Sequence, residues 1–485
     1  MSLTTNPSAI ALAVIFGIVT LASVLGFYAG ARRKMDLEQW TVAGRGFGAV
    51  FIWLLMAGEI YTAFTFLGAS GWAYSRGGPT LYILAYGTLG YVVSFFILPP
   101  IWEMGRKFGL QTQPDFFAAR YGSKYLAAFV AVVGVAFIIP NLQLQLTGLG
   151  IIVQTASFDG IGRAPAMIAA VALLTAFVFV GGLRAIAWVS VVKDGLMLLA
   201  AFSIGIAVPR IYFGGIGPMF AAVARAKPAH LTMPGATADL GHAWFISTVL
   251  LTALGFYMWP HAFASAFSAR SANTLRRNAV YMPFYQLTMA LMLFVGFSAI
   301  LVAPGLSDGD LSLLTVVRQT FSPWFLGVVG GAGALTAMVP AAILVLTAAT
   351  SFAKNLYRPL FAPAMTDDAV ARLARILVVA LSLISLYLAI YTSATLVSLL
   401  LLGYAGMTQF FPGVVLGFFW KRVTTTGVFA GMVAGVGGAV FLALSKRDPF
   451  HGLNAGFVAL CGNFLITAAV SLLTPSQSAP QVDVS

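Results

Sequence analysis

Three ionisable residues, Glu59, Lys193 and Asp194, sit inside long apolar runs of the chain. A charge at such a position is costly in hydrocarbon and needs a partner. Its default role is therefore functional: holding an ion, carrying a proton or neutralising a neighbour. An ammonium has one positive charge and three donors, so it can stand where a metal cation would be held by oxygens. A second stretch supplies such oxygens. "TAMVPAAILVLTAATSF", residues 336 to 352, places Pro340 inside an apolar run. Proline lacks the N–H that would bond four residues back, which releases the carbonyl of Thr336. In lipid a released carbonyl must find another donor or a cation.

The elements that position these groups are membrane helices. Of 485 residues, 60% are hydrophobic and only 8% are charged. Apolar runs of about 20 residues recur from end to end, the pattern of a polytopic membrane protein. The fold class is all-α, with about 13 transmembrane helices. The first run, from about Ala9 to Ala31, is too long for a signal-peptide core and reads as a retained helix. The net charge of +13 has its source in loop asymmetry and not in nucleic-acid binding. With the N-terminus outside, about 18 Lys and Arg fall inside against 8 outside, as the positive-inside rule favours. Arg32, Arg33, Lys34, Arg45, Arg106, Lys107, Arg120, Arg184 and Lys354 are among the inside set. The single cysteine, Cys461, excludes an intramolecular disulfide framework. No Walker loop, HExxH motif or nucleotide-binding domain is present, which argues against an enzyme and against any need for an ATPase partner.

Two spans carry interruptions. The second holds "FLGASGWAY" (Phe66 to Tyr74), and the seventh holds "ALGFYMWPHAFASAF" (Ala253 to Phe267) with Gly255 and Pro260 at mid-span. Paired broken helices at corresponding positions in two halves point to an inverted-repeat transporter with its site between them. Thr62, Thr65 and Phe66 face the first interruption; Phe256, Tyr257, Trp259 and His261 surround the second. In "PNLQLQLTG" on span four, Asn141 and Gln145 share a helical face, with Gln143 nearer the opposite side. A small carboxylate would use free N–H groups at a half-helix N-terminus together with these hydroxyls and amides. Aromatic rings would shape the pocket. His261 is either a second proton carrier or a hydrogen-bonded structural histidine.

Four motifs in order resemble the sodium/solute symporter family: "QTQPDFFAARYGSKY" (Gln111 to Tyr125), "VGGLRAIAWVSVVKDGLML" (Val180 to Leu198), "SFAKNLYRP" (Ser351 to Pro359) and "GYAGMTQFFPGVVLGFFWKRVTTTGVFAGMVAG" (Gly403 to Gly435). "MWPH" and the general tone are most similar to the branch of bacterial monocarboxylate permeases. The resemblance implies a LeuT-type 5+5 inverted repeat, with one extra helix before the core and two after it. Residues 1–46 would then form a peripheral helix and basic inner loop, and 47–208 the first repeat. An outer loop (209–241) that folds over the outer mouth would lead to the second repeat (242–420), followed by two peripheral helices (421–474) and a cytoplasmic tail (475–485). The family's first-helix substrate contact maps onto Thr65.

The sequence departs from the family where sodium would bind. The family's main sodium site uses carbonyls of the first core helix, matched here by Gly58 and Tyr61, and of span nine, matched by Thr336. Its two span-nine hydroxyls fall on Val339 and Pro340, its span-six carboxylate on Ser190 and the following glutamine on Lys193. The resulting expectation is that Lys193 occupies the vacated cation site, reaches the carbonyl of Thr336 and cycles its proton. Glu59 would be its counter-ion or relay. Asp194 projects about 100° away around the helix and need not share the site. The competing possibility is that Lys193 snorkels to the surface.

The functional reading is a symporter of the bacterial inner membrane, embedded in lipid. It would import small monocarboxylates such as pyruvate, lactate or acetate by alternating access, with H+ favoured over Na+ and no cofactor or metal. The alternatives are a sodium-coupled symporter of the same fold for an amino acid or vitamin acid, and a solute sensor, although no signalling module accompanies the spans through Ser485.

Overall fold

The computed structural model describes residues 6–30 and 37–475. Arg32, Arg33, Lys34 and the tail from 476 onward lie outside the described residues, as does the side chain of Arg184. Among the described residues, regular structure is helical and the only extended pairings are two isolated bridges. Ten helices among the described residues are long and apolar enough to cross a membrane, and each of two bent pairs adds a further span, giving up to twelve. The remaining expected span is the shorter apolar segment Arg163–Val178. It is joined to the next, Ala185–Phe213, by a reversal of the chain, since Arg163 at its start pairs with Asp308 at 3.0 Å and Tyr212 near the far end bonds Thr320 at 3.0 Å, on one side of the bundle.

Both expected interruptions exist. Ala49–Ile60 and Phe64–Ser75 meet at 59°, and His242–Gly255 and Pro260–Ser268 at 44°. The second break follows from local chemistry. Trp259, preceding proline, is extended (φ −81°, ψ 143°), and Pro260 opens the next half-helix, where its missing N–H is harmless. The first break lies elsewhere than expected. Tyr61 is extended (φ −90°, ψ 95°) and ends the first half, so the gap is at residues 61–63, ahead of the glycines. Those glycines instead allow close packing. A side chain at Gly68 would meet Leu396, and one at Gly71 would collide with Asp310.

The two broken helices run in opposite directions. Phe47 N–H donates to Ser268 O at 3.1 Å and Arg270 N–H to Phe47 O at 2.9 Å, so the start of one meets the end of the other. This is the inverted relationship that the repeats require. The helix Pro323–Ser351 lies at the centre, with 94% of its apolar window buried. Pro340 leaves it unbroken. Pro7–Tyr28, Thr425–Leu444 and Ala455–Leu473 are 33 to 39% buried, a range that Asp367–Tyr391 of the second repeat shares at 39%.

The connection from 209 to 241 contains a helix, Ile216–Ala226, where a glycine- and proline-rich loop was expected. It docks on the end of the first broken pair. Ala236 N–H donates to Arg76 O at 3.0 Å, and Gly77 (φ +72°) has His230 against it where any side chain would stand.

Candidate ion and substrate site

Lys193 projects from the Ala185–Phe213 helix into the first break. Its side chain is wholly buried, which rules out snorkelling to the surface. The ammonium donates to Gly58 O at 3.3 Å and Ala57 O at 3.4 Å, and pairs with Asp194 Oδ1 at 2.9 Å. Three donors thus meet three acceptors. Close approach is possible because residue 58 is glycine. A Cβ there would stand 2.7 Å from Ser190 Oγ and 3.6 Å from Val339, so spans two, six and nine converge on this point.

Three expectations change here. Thr336 is buried, but its hydroxyl turns back to Ala332 O at 2.7 Å, and among the described residues Lys193 makes no bond to it. Of the carbonyls matched to the family's site, the ammonium therefore meets Gly58 O, and among the described residues neither Tyr61 O nor Thr336 O. Asp194 does share the site, because the long lysine stem bends back across the helix surface. Tyr285 O–H also donates to Asp194 Oδ1, at 3.0 Å. Glu59 forms no ion pair with Lys193 among the described residues, though it stands within electrostatic reach of the ammonium. It accepts a hydrogen bond from Ser265 on Pro260–Ser268 and so ties the two broken helices together. Ser190 donates to Ile186 O at 2.9 Å. Tyr61 stacks its ring 4.1 Å from that of Tyr285 and shares a 2.7 Å hydrogen bond with Tyr91.

The expected substrate residues divide into two groups. At the first break, Ala63 N–H donates to Gln145 Oε1 at 3.2 Å, and Gln145 Nε2 donates to Asn141 Oδ1 at 2.9 Å. Thr62 and Thr65 hydroxyls accept from Phe64 N–H (3.2 Å) and Thr62 N–H (3.3 Å), so side chains satisfy the groups that the break exposes. Gln143 faces away, donating to Thr392 Oγ1 at 2.6 Å. At the second break, Trp259 packs against Tyr404 (5.3 Å) and His261 (5.8 Å), and Phe256 against Tyr86 and Tyr91. Tyr257 is buried, 5.1 Å from Phe256. Phe66 does not join these rings, because it lies against Gly333. His261 Nδ1 is buried with no hydrogen-bond partner among the described residues, unlike the bonded structural histidine considered above. Tyr86, Tyr404, Ser265 and Tyr285 complete the site without having been singled out in the sequence. Tyr404 lay in a recognisable motif, "GYAGMTQFFPG", and Ser265 in the interrupted stretch "ALGFYMWPHAFASAF".

The two faces of the bundle differ. A cavity of about 910 Å³ opens at the helix ends near Arg76, Arg163, Asp308 and Thr395, with Gly71 and Thr147 deepest in sequence along their helices. On the basic face a space of about 10 Å³ beside Thr112, Pro260 and Thr350 holds one water at most. A latch closes this side. Asp115 binds Lys354 Nζ at 2.7 Å and Asn355 Nδ2 at 2.6 Å, while Arg45 donates to Leu110 O at 2.7 Å. Burial alone would raise the Asp115 carboxyl, but Lys354 and the hydrogen bonds from Gln111 and Asn355 hold it below the usual carboxylate range. A depressed carboxylate contributes fully above its unfolded value and is lost only as pH falls through the lower folded one, so the latch stays ionised at neutral pH. Lys354→Ala is expected to loosen it. In a Cys461→Ser background, a cysteine placed at Thr350 should react with a soluble maleimide about tenfold faster, the scale set by losing a charge-assisted bond. An unchanged rate would mean that the latch does not hold this face shut.

Two antiparallel broken helices packed around a central buried helix, with polar groups collected at the breaks, define a membrane transporter of the inverted-repeat class. The family model described as "Sodium:solute symporter family" matches residues 40–435, and the chain belongs to that family. It is similar to "Uncharacterized symporter YhjB" of Bacillus subtilis (strain 168), with 45% identity covering 98% of this chain and 99% of the relative. It is also similar to "Monocarboxylate transport permease protein" of Rhizobium johnstonii, with 29% identity over 98% and 99% of the two chains. A solved structure of a Na+-coupled sialic acid symporter in a substrate-bound outward-open state superposes with a TM-score of 0.80, at 17% identity over 98% of this chain and 99% of that one. This likeness shows the LeuT-type fold. The protein is therefore a multi-pass membrane protein and a secondary transporter of small solutes.

Proposed function

We propose that this protein imports small monocarboxylates such as pyruvate, lactate or acetate by proton symport across the bacterial inner membrane. The N-terminus would lie outside, with the basic face in the cytoplasm. The observation that carries the reading is the Lys193 ammonium, fully buried on Ala57 O and Gly58 O, where Val339 packs against Gly58. A positive charge already stands against the first-helix carbonyls, while positions 339 and 340 offer no hydroxyl to complete a sodium shell. Asp194, bonded to Lys193, is the immediate partner for a proton exchanged there, and Glu59 transmits changes at the first break to the second through Ser265. The monocarboxylate follows from the name of the Rhizobium johnstonii relative and from the hydroxyls, amides and rings at the breaks. Gln145, Asn141, Thr62 and Thr65 would meet the carboxylate, and Trp259, Phe256, Tyr257 and His261 the rest of the pocket. The sodium-driven alternative has the buried Thr336 in its favour.

Purified protein in proteoliposomes decides between them. Labelled pyruvate should accumulate under an inside-alkaline pH gradient in sodium-free buffer, and an inward sodium gradient should add nothing. Accumulation that requires sodium would overturn proton coupling. Failure to accumulate pyruvate, lactate or acetate under either gradient would overturn the substrate assignment.

A further inference from the structure

The wide cavity carries a carboxylate that the proposed transport site does not use. Asp310 lines the cavity wall yet is only 3% exposed. Its Oδ2 accepts from Leu396 N–H, the first residue of the helix Leu396–Met407, at 2.9 Å. Gly71 of the first broken pair packs directly onto its backbone and carboxylate. One acidic side chain therefore joins three parts that border the mouth: the outer half of the first broken helix, the turn Gly309–Leu311 and the start of Leu396–Met407. Among the described residues no cation lies within ion-pair distance of it. The nearby guanidinium of Arg163 is 3.0 Å from Asp308 instead.

The charged surroundings are few. Asp308 stands two residues away and its Oδ1 accepts Asp310 N–H. Arg163 comes from the start of Arg163–Val178. Arg76 follows the end of Phe64–Ser75 and is paired with Asp239 at 3.4 Å. Ser312–Thr320 contributes Arg318, which is paired with Asp159 at 3.2 Å. Lys124–Ala156 brings Thr147 to the cavity and no charge. Tyr391 is the remaining titratable group in the lining.

We infer that Asp310 is a proton-binding site of the wide vestibule, and that its neutralisation permits the vestibule to close. The physical reason is desolvation. Alternating access requires the cavity beside Asp310 to collapse and lose its water. A buried carboxylate with no cation, next to a second carboxylate, resists that step when charged and not when protonated. Burial first, and then Asp308, push the Asp310 carboxyl up to about 7, against the opposing pull of Leu396 N–H and Arg163. The neutral, closure-competent form thus prevails below about pH 7, and the charged form, which keeps the mouth open, above it. The inference deepens the proton-driven reading by giving the proton a binding place on the open side.

Pyruvate counterflow with equal pH on both sides of the proteoliposome removes the driving force and reports closure and reopening alone. A monocarboxylate of this kind stays ionised across the range, since ordinary carboxyls titrate near or below about 4. The wild-type rate should rise as pH is lowered from about 8.5 to 5.5, with a midpoint near 7. Asp310→Asn should be flat over the same range, at a rate within about twofold of the wild-type acid plateau. Should that variant fail to insert, two others carry the test. Asp308→Asn removes a repelling charge and should move the midpoint to lower pH, and Arg163→Gln should move it to higher pH. An Asp310→Asn profile with the wild-type midpoint, or no shift in either neighbour variant, overturns the inference. Proton-driven accumulation in the wild type alongside such a result would leave the proposed function standing. Loss of accumulation under any pH gradient would instead strike the proposed function itself.

Discussion

Lys193→Met is expected to reduce pyruvate accumulation under a pH gradient by more than about 100-fold, together with a loss of thermal stability. The three donors of the ammonium end on Ala57 O, Gly58 O and Asp194 Oδ1. Removing it leaves a buried carboxylate with the Tyr285 hydroxyl as its remaining donor and takes a donor from Gly58 O, while Ala57 O keeps Tyr61 N–H. Breaking a buried pair by deleting one partner costs about 3–5 kcal/mol, whereas replacing both with apolar groups of similar volume is close to neutral. Asp194→Leu alone should therefore lower the melting temperature much as Lys193→Met does. The double variant Lys193→Met/Asp194→Leu should recover most of that stability. It should not recover accumulation, because the site then has no group that takes up and releases a proton. Melting in detergent and accumulation in proteoliposomes, measured on all three variants, separate the two roles. Gradient-driven accumulation in the double variant would show the pair to be structural.

That pair also marks where sequence reading stops. Adjacent positions on a helix point about 100° apart, which separates the Cα–Cβ directions of Lys193 and Asp194. It does not separate an ammonium on a four-carbon stem from its neighbour, and among the described residues that neighbour is the carboxylate at ion-pair distance. The second helix break was legible because Gly255 and Pro260 announce it locally. The first was legible in its span but not in its position, because residues 61–63 contain neither glycine nor proline. Its exposed groups are satisfied by Gln145, Thr62 and Thr65, partners known only once the chain is folded. Pro340 misled in the other direction. A central helix buried on every side keeps its course past one missing bond, and the Thr336 hydroxyl donates inward to Ala332 O while Lys193 bonds Ala57 O and Gly58 O instead. Asp310 gave no signal at all. In the sequence it is one acid among polar loop residues, and only the packing of Gly71 and Leu396 around it removes it from water.

The second large effect is expected at Gln145. Its amide bridges two elements, accepting from Ala63 N–H at the first break and donating to Asn141 on its own helix. Leucine preserves the volume and removes both bonds. A buried donor left unpaired costs about 1–3 kcal/mol, and both Ala63 N–H and Asn141 Oδ1 lose their partner. Gln145→Leu should therefore lower pyruvate uptake by roughly 10- to 100-fold at fixed gradient, a factor of ten for each 1.4 kcal/mol. Gln145→Glu keeps an acceptor for Ala63 N–H and should melt closer to wild type than the leucine variant, but it sets a second carboxylate against that of pyruvate and should not restore uptake. Gln143→Leu is the control. Gln143 lies two residues away, but it faces Thr392 and Leu388 on a neighbouring helix, on the far side from the break. Its loss should weaken helix packing and leave uptake within about threefold of wild type, as for an interhelical bond worth about 0.6 kcal/mol. If Gln143→Leu proves as damaging as Gln145→Leu, both amides are helix-to-helix glue, and the carboxylate site must be sought elsewhere than at the first break. If only Gln145→Leu is damaging and raises KM for pyruvate more than it lowers the maximal rate, the same amide that caps the broken backbone also meets the substrate.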